Sequence, residues 1–533
     1  MSVGTRHRKH WGWGFEDQQP TPDQLRASAV ELGAHLGMEL GEVEAPVAIE
    51  LVQLAPPRIA IPDRLAQISR DDPRSRASHA LGKSYCDVVR GFRGQFEHPP
   101  DFVAYPRGEE GLEGVLEWCA SERVAAIPFG GGTSVVGGVT PEVGHGYNGA
   151  VSIDLGALDR VLEVDPVSRS ARIQGGALGP SLESQLRPHE LTLRHFPQSF
   201  ECSTLGGWIA TRAAGHFATV WTHIEDLLES VRAITPAGVW ESRRLPGSGA
   251  GVSPDRMLAG SEGALGVITE AWVRVQPRPS HRSSAGVRFE RFSDGVECVR
   301  AISQSGLHPS NCRLLDAGEA ALTLAGDGSH ALLVLCFESS DHPVEQAMAR
   351  ALELCAQHGG TVADGSSGAG ADGVRSWRGA FLGAPYLRDV LVAVGVLVET
   401  FETAITWERF ATFHATVTAA AEQTVRDVCG VGGRVFCRFT HVYPDGPAPY
   451  FTVLAPARRG EEVEQWGAVK RAVSDAIIEQ GGTITHHHAV GRDHRPWYDR
   501  QRPEPFALAL RGAKEAIDPS GIMNPGVLID PLP

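Results

Sequence analysis

No stretch of this chain is long and apolar enough to cross a bilayer. The longest apolar run, Val390 to Val398, stops far short of the ~20 residues that a spanning helix needs. The N-terminus is basic (His7, Arg8, Lys9, His10), but the apolar core of a secretion signal does not follow it. The nine cysteines include no Cys-x-x-Cys pair, which excludes the usual structural-zinc spacing and fits a reducing compartment. Positive charge is in deficit. With 49 Lys and Arg against 64 Asp and Glu, the net charge of -15 argues against nucleic acid as the main partner. Two nucleotide motifs are absent as well. No Gly-Lys-Ser/Thr follows the main glycine cluster as a Walker loop requires, and Val135 stands where Gly-x-Gly-x-x-Gly needs its last glycine. A soluble, cytoplasmic protein is expected.

What is present is ordinary in bulk and unusual in detail. A chain of 533 residues, 42% hydrophobic and 21% charged, has room for two or three domains with cores of their own. The chain is organised around Pro128-Phe129-Gly130-Gly131-Gly132-Thr133-Ser134. A short apolar strand, Val124 to Ile127, leads into it. Three glycines remove every Cβ from the turn, so backbone N–H groups can approach a bulky anion, and two hydroxyls add donors. By itself such a loop is equally a bare glycine turn. Two later segments repeat the theme. Gln198-Ser199 with Cys202-Ser203-Thr204-Leu205-Gly206-Gly207-Trp208 is small and hydroxylated, and Gly260-Ser261-Glu262-Gly263 opens into a strand from Ala271 to Val275.

The remaining pattern alternates strands and helices. Leu112, Val115, Leu116 and Cys119 lie at helical spacing. Strands are expected at Val151 to Leu155, Val161 to Val164, Ser170 to Ile173, Val287 to Phe289 and Ala331 to Phe337. Helices are expected at Gln24 to Leu36, Val344 to His358 and Glu461 to Gln480. A further helix should stop at Ile517-Asp518-Pro519, before a turn at Met523-Asn524-Pro525-Gly526. The charged stretch Asp63 to Ser84 is read as helical, Ala363 to Gly373 as a mobile loop, and Thr483-Ile484-Thr485 as a strand running into His486-His487-His488. In a strand His486 and His488 would converge while His487 pointed away. The division is 1–100 as an N-terminal extension, 101–279 as a first domain, 280–482 as a cap, and 483–533 as a segment returning to the site. The tryptophans of Trp11-Gly12-Trp13-Gly14 should dock into a groove, because exposed tryptophan is costly.

The glycine segments together resemble the vanillyl-alcohol-oxidase-type flavoproteins. With Trp11-Gly12-Trp13-Gly14, Ser203 to Trp208, Gly260 to Gly263 and the histidine triplet, the chain resembles the alkyldihydroxyacetonephosphate synthase family from Trp11 to about Pro525. The fold implied is α+β: a PCMH-type FAD-binding domain of two α+β subdomains, with an α/β cap carrying an antiparallel sheet. The resemblance implies non-covalent FAD lying along Pro128 to Ser134 (Pro128, Phe129, Gly130, Gly131, Gly132, Thr133, Ser134). It extends the contacts to Gln198, Ser199, Cys202, Ser203, Thr204, Gly207, Thr211, Arg212, Ala213 and Ala214. It adds Glu262, Gly263, Leu265, Gly266, Val267 and Ile268. The implied reaction shows no net redox change. Acyl-dihydroxyacetone phosphate adds to the reduced flavin and loses its fatty acid, and a long-chain alcohol takes its place. Tyr450 matches the family's acid/base tyrosine, Arg388 its substrate-phosphate arginine, and His195 a histidine required for activity; His486, His487 and His488 form the active-site cluster.

Blander readings stand beside these. A lone Tyr is often core, a lone Arg often a surface ion pair, and the triplet could be packing or a two-histidine metal site. No Cys, Asp or Glu at suitable spacing completes such a site, so no metal is expected. A phenol is a poor base at neutral pH unless positive charge is near, and an imidazolium of the triplet is the expected source. Departures from the family pattern are Gln198 for Asp, Ala489 for the Gly after the triplet, Phe-Thr-Val-Leu after Tyr450, and Asp493-His494 in a basic tail. The rival reading is an FAD-dependent oxidase or dehydrogenase of a 2-hydroxy acid or alcohol; a lipid-binding flavoprotein without activity is the third. A homodimer and peripheral membrane contact complete the expectations.

Overall fold

A computed structural model of the protein describes residues 7–37, 40–217, 219–362, 371–430 and 432–531. Among these residues the main strands form three sheets. The first has four strands, in the order Ser69–Arg70, Phe102–Ala104, Gly149–Asp154, Val124–Phe129. The last three are mutually parallel, as expected of apolar strands buried on both faces. The helix Glu109–Glu122 covers this sheet; its Leu112, Val115, Leu116 and Cys119 are at most 3% exposed. Ser69–Arg70 pairs with Phe102–Ala104, so the N-terminal extension supplies an edge strand of this sheet. Asp63 to Ser84 is therefore only partly helical: a 3-10 turn at Asp63–Ile68 precedes the strand, and a helix at Pro73–Ser78 follows it.

The second sheet is antiparallel, in the order Val161–Asp165, Ser170–Gln174, Val267–Arg274, Leu228–Thr235, Gly238–Glu241. The third is also antiparallel and has seven strands, in the order Thr361–Val362, His281–Phe289, Ala331–Ser339, Asn311–Leu315, Arg434–Val442, Pro447–Pro456, Val396–Glu402. Its outer face carries the helices Trp407–Cys429 and Glu462–Glu479. The Val390 to Val398 run is not one element. It closes the helix Ala371–Ala393 and opens the strand Val396–Glu402, with Gly395 in the left-handed region between them.

The N-terminal tryptophans do dock. Trp11 and Trp13 are 4% and 5% exposed, and Trp11 packs edge-on against Phe92. Asp389 receives the Trp13 N–H at 3.0 Å and the Lys9 ammonium at 2.9 Å. A Cβ on Gly12 would stand 2.4 Å from the same carboxylate, which accounts for the glycine between the tryptophans. The C-terminal segment also returns: Met523 bridges to Ala126, and the Asn524 amide donates to the carbonyls of Gly138 and Glu262.

One further expectation fails, and another falls largely outside the described residues. Thr483-Ile484-Thr485 is not a strand: the Thr483 N–H goes to the Ala404 carbonyl, the Ile484 N–H to the Gln501 side chain at 2.9 Å, and the Thr485 hydroxyl to the buried Glu402 carboxylate, so no ladder with a neighbouring strand forms. Of Ala363 to Gly373, 363–370 lie outside the described residues, and from Ala371 the chain is already helical.

Candidate active site

The three glycine-rich segments interlock. A Cβ on Gly131 would lie 1.9 Å from the Cys202 carbonyl oxygen, and one on Gly130 2.4 Å from the Thr204 hydroxyl. Gly263, at φ +77°, would meet the Pro128 ring at 2.9 Å. The glycines are thus demanded by loop-against-loop packing as well as by any ligand. Together the segments wall a cavity of about 300 Å³. Pro128 to Ser134 line it continuously, and so do Gln198, Ser199, Ser203, Thr204, Gly207, Thr211, Ala213, Ala214, Glu262, Gly263, Gly266 and Ile268.

Other expected positions lie elsewhere. Cys202 faces a small adjoining pocket shared with Arg8 and Lys83. The Arg212 guanidinium turns away to Glu225, at 2.6 and 2.7 Å. Leu265 and Val267 are packed in the core at 0% and 1% exposure, so only their main chain is available to a ligand. His195 is 2% exposed and sits behind Trp208, ring centroids 5.2 Å apart, off the cavity wall. Burial pushes its imidazole down to about 3, which leaves it neutral.

The far wall is the cap sheet, and its period-two alternation decides what faces inward. On Pro447–Pro456, Tyr450, Thr452 and Leu454 line the cavity, whereas Phe451 and Val453 are fully buried on the other face. On the neighbouring Val396–Glu402, Val398 and Thr400 line it and Glu402 continues the series. The registers Glu402↔Tyr450, Thr400↔Thr452 and Val398↔Leu454 make a graded surface, charged and phenolic at one end, aliphatic at the other. Leu387 and Leu391 also line the cavity. Arg388 also lines the cavity, with one guanidinium nitrogen donating to the Lys83 carbonyl at 2.7 Å.

Glu402 organises the histidine triplet. Its two oxygens accept from the Thr485 hydroxyl and from the backbone N–H groups of His486, His487 and His488, the last two at 2.8 Å each. Glu262 does the same one turn further on, accepting from Val490 and Gly491 at 2.9 and 2.8 Å. Burial raises both carboxyls to about 7, against the pull of these N–H groups. The chain from 485 to 491 is therefore pinned between the cap and the first domain. Ala489 adopts φ +73° there, a conformation glycine accepts at no steric cost.

The triplet's geometry reverses the strand expectation. His487 and His488 both line the cavity, while His486 faces away. Its Nε2 lies 2.6 Å from the Tyr443 hydroxyl, its Nδ1 3.0 Å from Nδ1 of His487, and its ring stacks on His441. Tyr450 lies 6.3 and 5.9 Å, centroid to centroid, from His487 and His488. The expected imidazolium is not there: burial first, then neighbouring positive groups, hold all three imidazoles well below their ordinary value. His441, on the strand Arg434–Val442, brings a third histidine, and ligand nitrogens of His441, His486 and His487 come within 4.8 Å of one another. Neutral imidazoles suit a metal, but Arg313 presses on both His441 and His487 and opposes a cation there.

Sequence reading missed Glu402, Arg438, Glu319 and His441. Their common signal is a charged or imidazole group in or beside a strongly apolar strand, a costly placement that only pairing sustains.

Comparison with known proteins agrees with this fold. Residues 100–242 match the FAD binding domain family, and residues 278–528 match the C-terminal domain of FAD linked oxidases. p-Cresol methylhydroxylase has the same fold at 15% identity, with a TM-score of 0.68 over 87% of this chain and 94% of its own. The protein is an FAD-dependent enzyme with the PCMH-type α+β fold and an antiparallel cap sheet. The alkyldihydroxyacetonephosphate synthase of Dictyostelium discoideum is 30% identical over 88% of this chain and 79% of its own length, and that of Trypanosoma brucei brucei is 30% identical over 90% and 82%. A solved alkyldihydroxyacetonephosphate synthase superposes with a TM-score of 0.80 at 27% identity, covering 97% and 98% of the two chains. The chain belongs to the alkyldihydroxyacetonephosphate synthase family. A redox relative, the mitochondrial D-lactate dehydrogenase [cytochrome] of Arabidopsis thaliana, is 24% identical over 81% of this chain and 74% of its own.

Proposed function

We propose that this enzyme exchanges the acyl chain of acyl-dihydroxyacetone phosphate for a long-chain alcohol, giving an ether-lipid precursor. One observation carries the reading: the cavity joins the glycine-rich segments to Tyr450, His487 and His488, then grades through Thr452 and Thr400 to Leu454 and Val398. Such a gradient suits a polar phosphorylated head with a long apolar chain. Bound along the glycine segments, FAD supplies the reactive ring of the exchange without a net change in its redox state. The protein's own part is distributed. Arg388 takes the phosphate as a guanidinium fork. Tyr450 moves the carbon-bound proton as acid and base, with the neutral imidazoles of His487 and His488 beside it as proton acceptors. The aliphatic strand face shields the chain from water.

The same reading includes FAD held without a covalent bond, a homodimer, and a cytoplasmic enzyme that meets its bilayer-dissolved chains at a membrane surface. Nine unbridged cysteines support the reducing compartment. No helix among the described residues is long and apolar enough to cross a membrane, which leaves surface contact as the proposed mode. The test is incubation of the holoenzyme with acyl-dihydroxyacetone phosphate and a long-chain alcohol, without an electron acceptor. Release of fatty acid with formation of the ether is the expected result. Anaerobic bleaching of the flavin by a 2-hydroxy acid, with no ether formed, would instead establish the redox reading.

A further inference from the structure

Tyr450 needs a positive neighbour to work as a base near neutrality, and the triplet does not supply one. Its surroundings name another. Arg438 is the direct cross-strand partner of Tyr450, as Glu402 is on the opposite side, so the three side chains share one rung and one face. The Arg438 guanidinium carbon stands 3.8 Å from the centroid of the Tyr450 ring. Both residues are nearly sealed, at 7% and 4% exposure, where a unit charge acts strongly. On its other side Arg438 is paired with Glu319, which is 0% exposed and comes from the short helix Ala317–Leu322.

We propose that Arg438 is the positioning residue that sets the proton affinity of Tyr450, its guanidinium stabilising the phenolate while the Glu319 carboxylate offsets part of that charge. Burial alone would push Arg438 down, yet Glu319 and then Tyr450 carry it above its ordinary value, the latter by charge and by a side-chain hydrogen bond. The other groups around the phenol fit this assignment. Glu402 spends its oxygens on the N–H groups of the triplet. His487 and His488 are neutral. Arg313 lies on the strand next to that of Arg438, where it donates to the His216 carbonyl at 2.7 Å and acts on His441 and His487. Arg388 lies on the cavity's helix, near enough to act on His488. Among the described residues, Arg438 is the positive group that both pairs with Tyr450 across the sheet and lies over its ring. The importance of this for catalysis rests on the acid/base reading of Tyr450; the effect on the phenol does not.

The test is therefore spectroscopic, on the FAD-loaded enzyme. The ultraviolet tyrosinate band is titrated with pH, and the titration of Tyr450→Phe is subtracted to isolate Tyr450. Arg438→Met removes the charge and should raise the midpoint by about 1–3 pH units, the usual effect of an adjacent opposite charge. Arg438→Lys keeps the charge and should stay closer to wild type. Glu319→Gln removes the competing anion and should move the midpoint the opposite way, downward; a change in packing alone would not produce that pair of signs. If Arg438→Met does not fold, the sign for Glu319→Gln decides. An unmoved midpoint in Arg438→Met, or an unmoved or raised one in Glu319→Gln, overturns the proposal. The pH profile of ether formation should follow the midpoint; if the midpoint shifts and the profile does not, the acid/base role of Tyr450 fails and the assignment of Arg438 stands.

Discussion

Glu402→Gln is the most informative single change in the site, because it keeps the side chain's shape and removes half of its accepting capacity. In the native protein one oxygen takes the Thr485 hydroxyl and the His488 N–H, the other the N–H groups of His486 and His487. A glutamine must place its NH₂ against one of these pairs, leaving two donors without an acceptor in a region where the carboxylate is 1% exposed. Each buried, unsatisfied donor costs about 1–3 kcal/mol, so the loss is roughly 2–6 kcal/mol. That lies within the ~5–15 kcal/mol of a typical domain, and it falls on one loop, so local opening is expected before global unfolding. Amide hydrogen exchange reports such opening. The N–H groups of His486, His487 and His488 should exchange at least about 30-fold faster, the equivalent of 2 kcal/mol at tenfold per 1.4 kcal/mol. The amides of the Gly149–Asp154 strand should be unaffected, and the flavin spectrum should persist. Exchange is best compared above pH 7, where Glu402, raised to about 7, is ionised and most unlike glutamine. Native exchange rates across the triplet together with full ether-forming activity would refute the view that Glu402 holds this loop.

Tyr450→Phe should fold and bind FAD normally but lose about 10²–10⁴-fold in ether formation, with His488→Ala comparably impaired and the double variant little worse, since groups acting as a unit are not additive; losses that multiply would show independent roles. Ala489→Gly relieves a φ of +73°. The gain of about 1–2 kcal/mol, less about 0.4–1 kcal/mol of added unfolded-state entropy, should appear as a small rise in the thermal midpoint, and a fall would count against strain at this turn. Gly131→Ala sets a methyl 1.9 Å from a backbone oxygen and should yield protein purified with little or no flavin; a stoichiometric flavin content would show that the loops can separate. Acidification should destabilise the fold. Nine imidazoles lie below their ordinary value through burial (His10, His195, His223, His414, His441, His486, His487, His488, His494), and the unfolded chain takes up their protons below about pH 6.5. Six carboxyls raised by burial (Asp87, Glu262, Asp316, Asp389, Glu402, Asp493) act in the opposite sense, their contribution being lost as pH rises, toward 7 for Glu262, Asp316, Glu402 and Asp493. The imidazoles outnumber them, so the thermal midpoint should fall from pH 7 to pH 5, and a rise would reverse the sign.

The local elements were legible because their causes are local. Leu112, Val115, Leu116 and Cys119 specify one buried helix face by spacing alone, and three consecutive glycines announce a loop into which no side chain fits. The N-terminal tryptophans, too expensive to expose, had to dock. What the sequence could not contain was the partner of each. That Gly131 abuts Cys202, that Trp13 hangs on Asp389, and that Ser69–Arg70 joins the first sheet follow from contacts between distant parts of the chain. The histidine triplet shows the limit most clearly. Its residue types promised proton chemistry, and period-two logic assigned its faces as if it were a strand. Only the packed structure brings Glu402 beneath it, and that carboxylate competes successfully with strand pairing for three consecutive N–H groups. The same burial strips the imidazoles of their charge, and the register of the cap sheet puts Arg438, an unremarked residue among apolar neighbours, against Tyr450. Sequence determined which chemical groups the enzyme owns; tertiary structure decided which of them are charged, because charge depends on desolvation and on neighbours that only folding brings together.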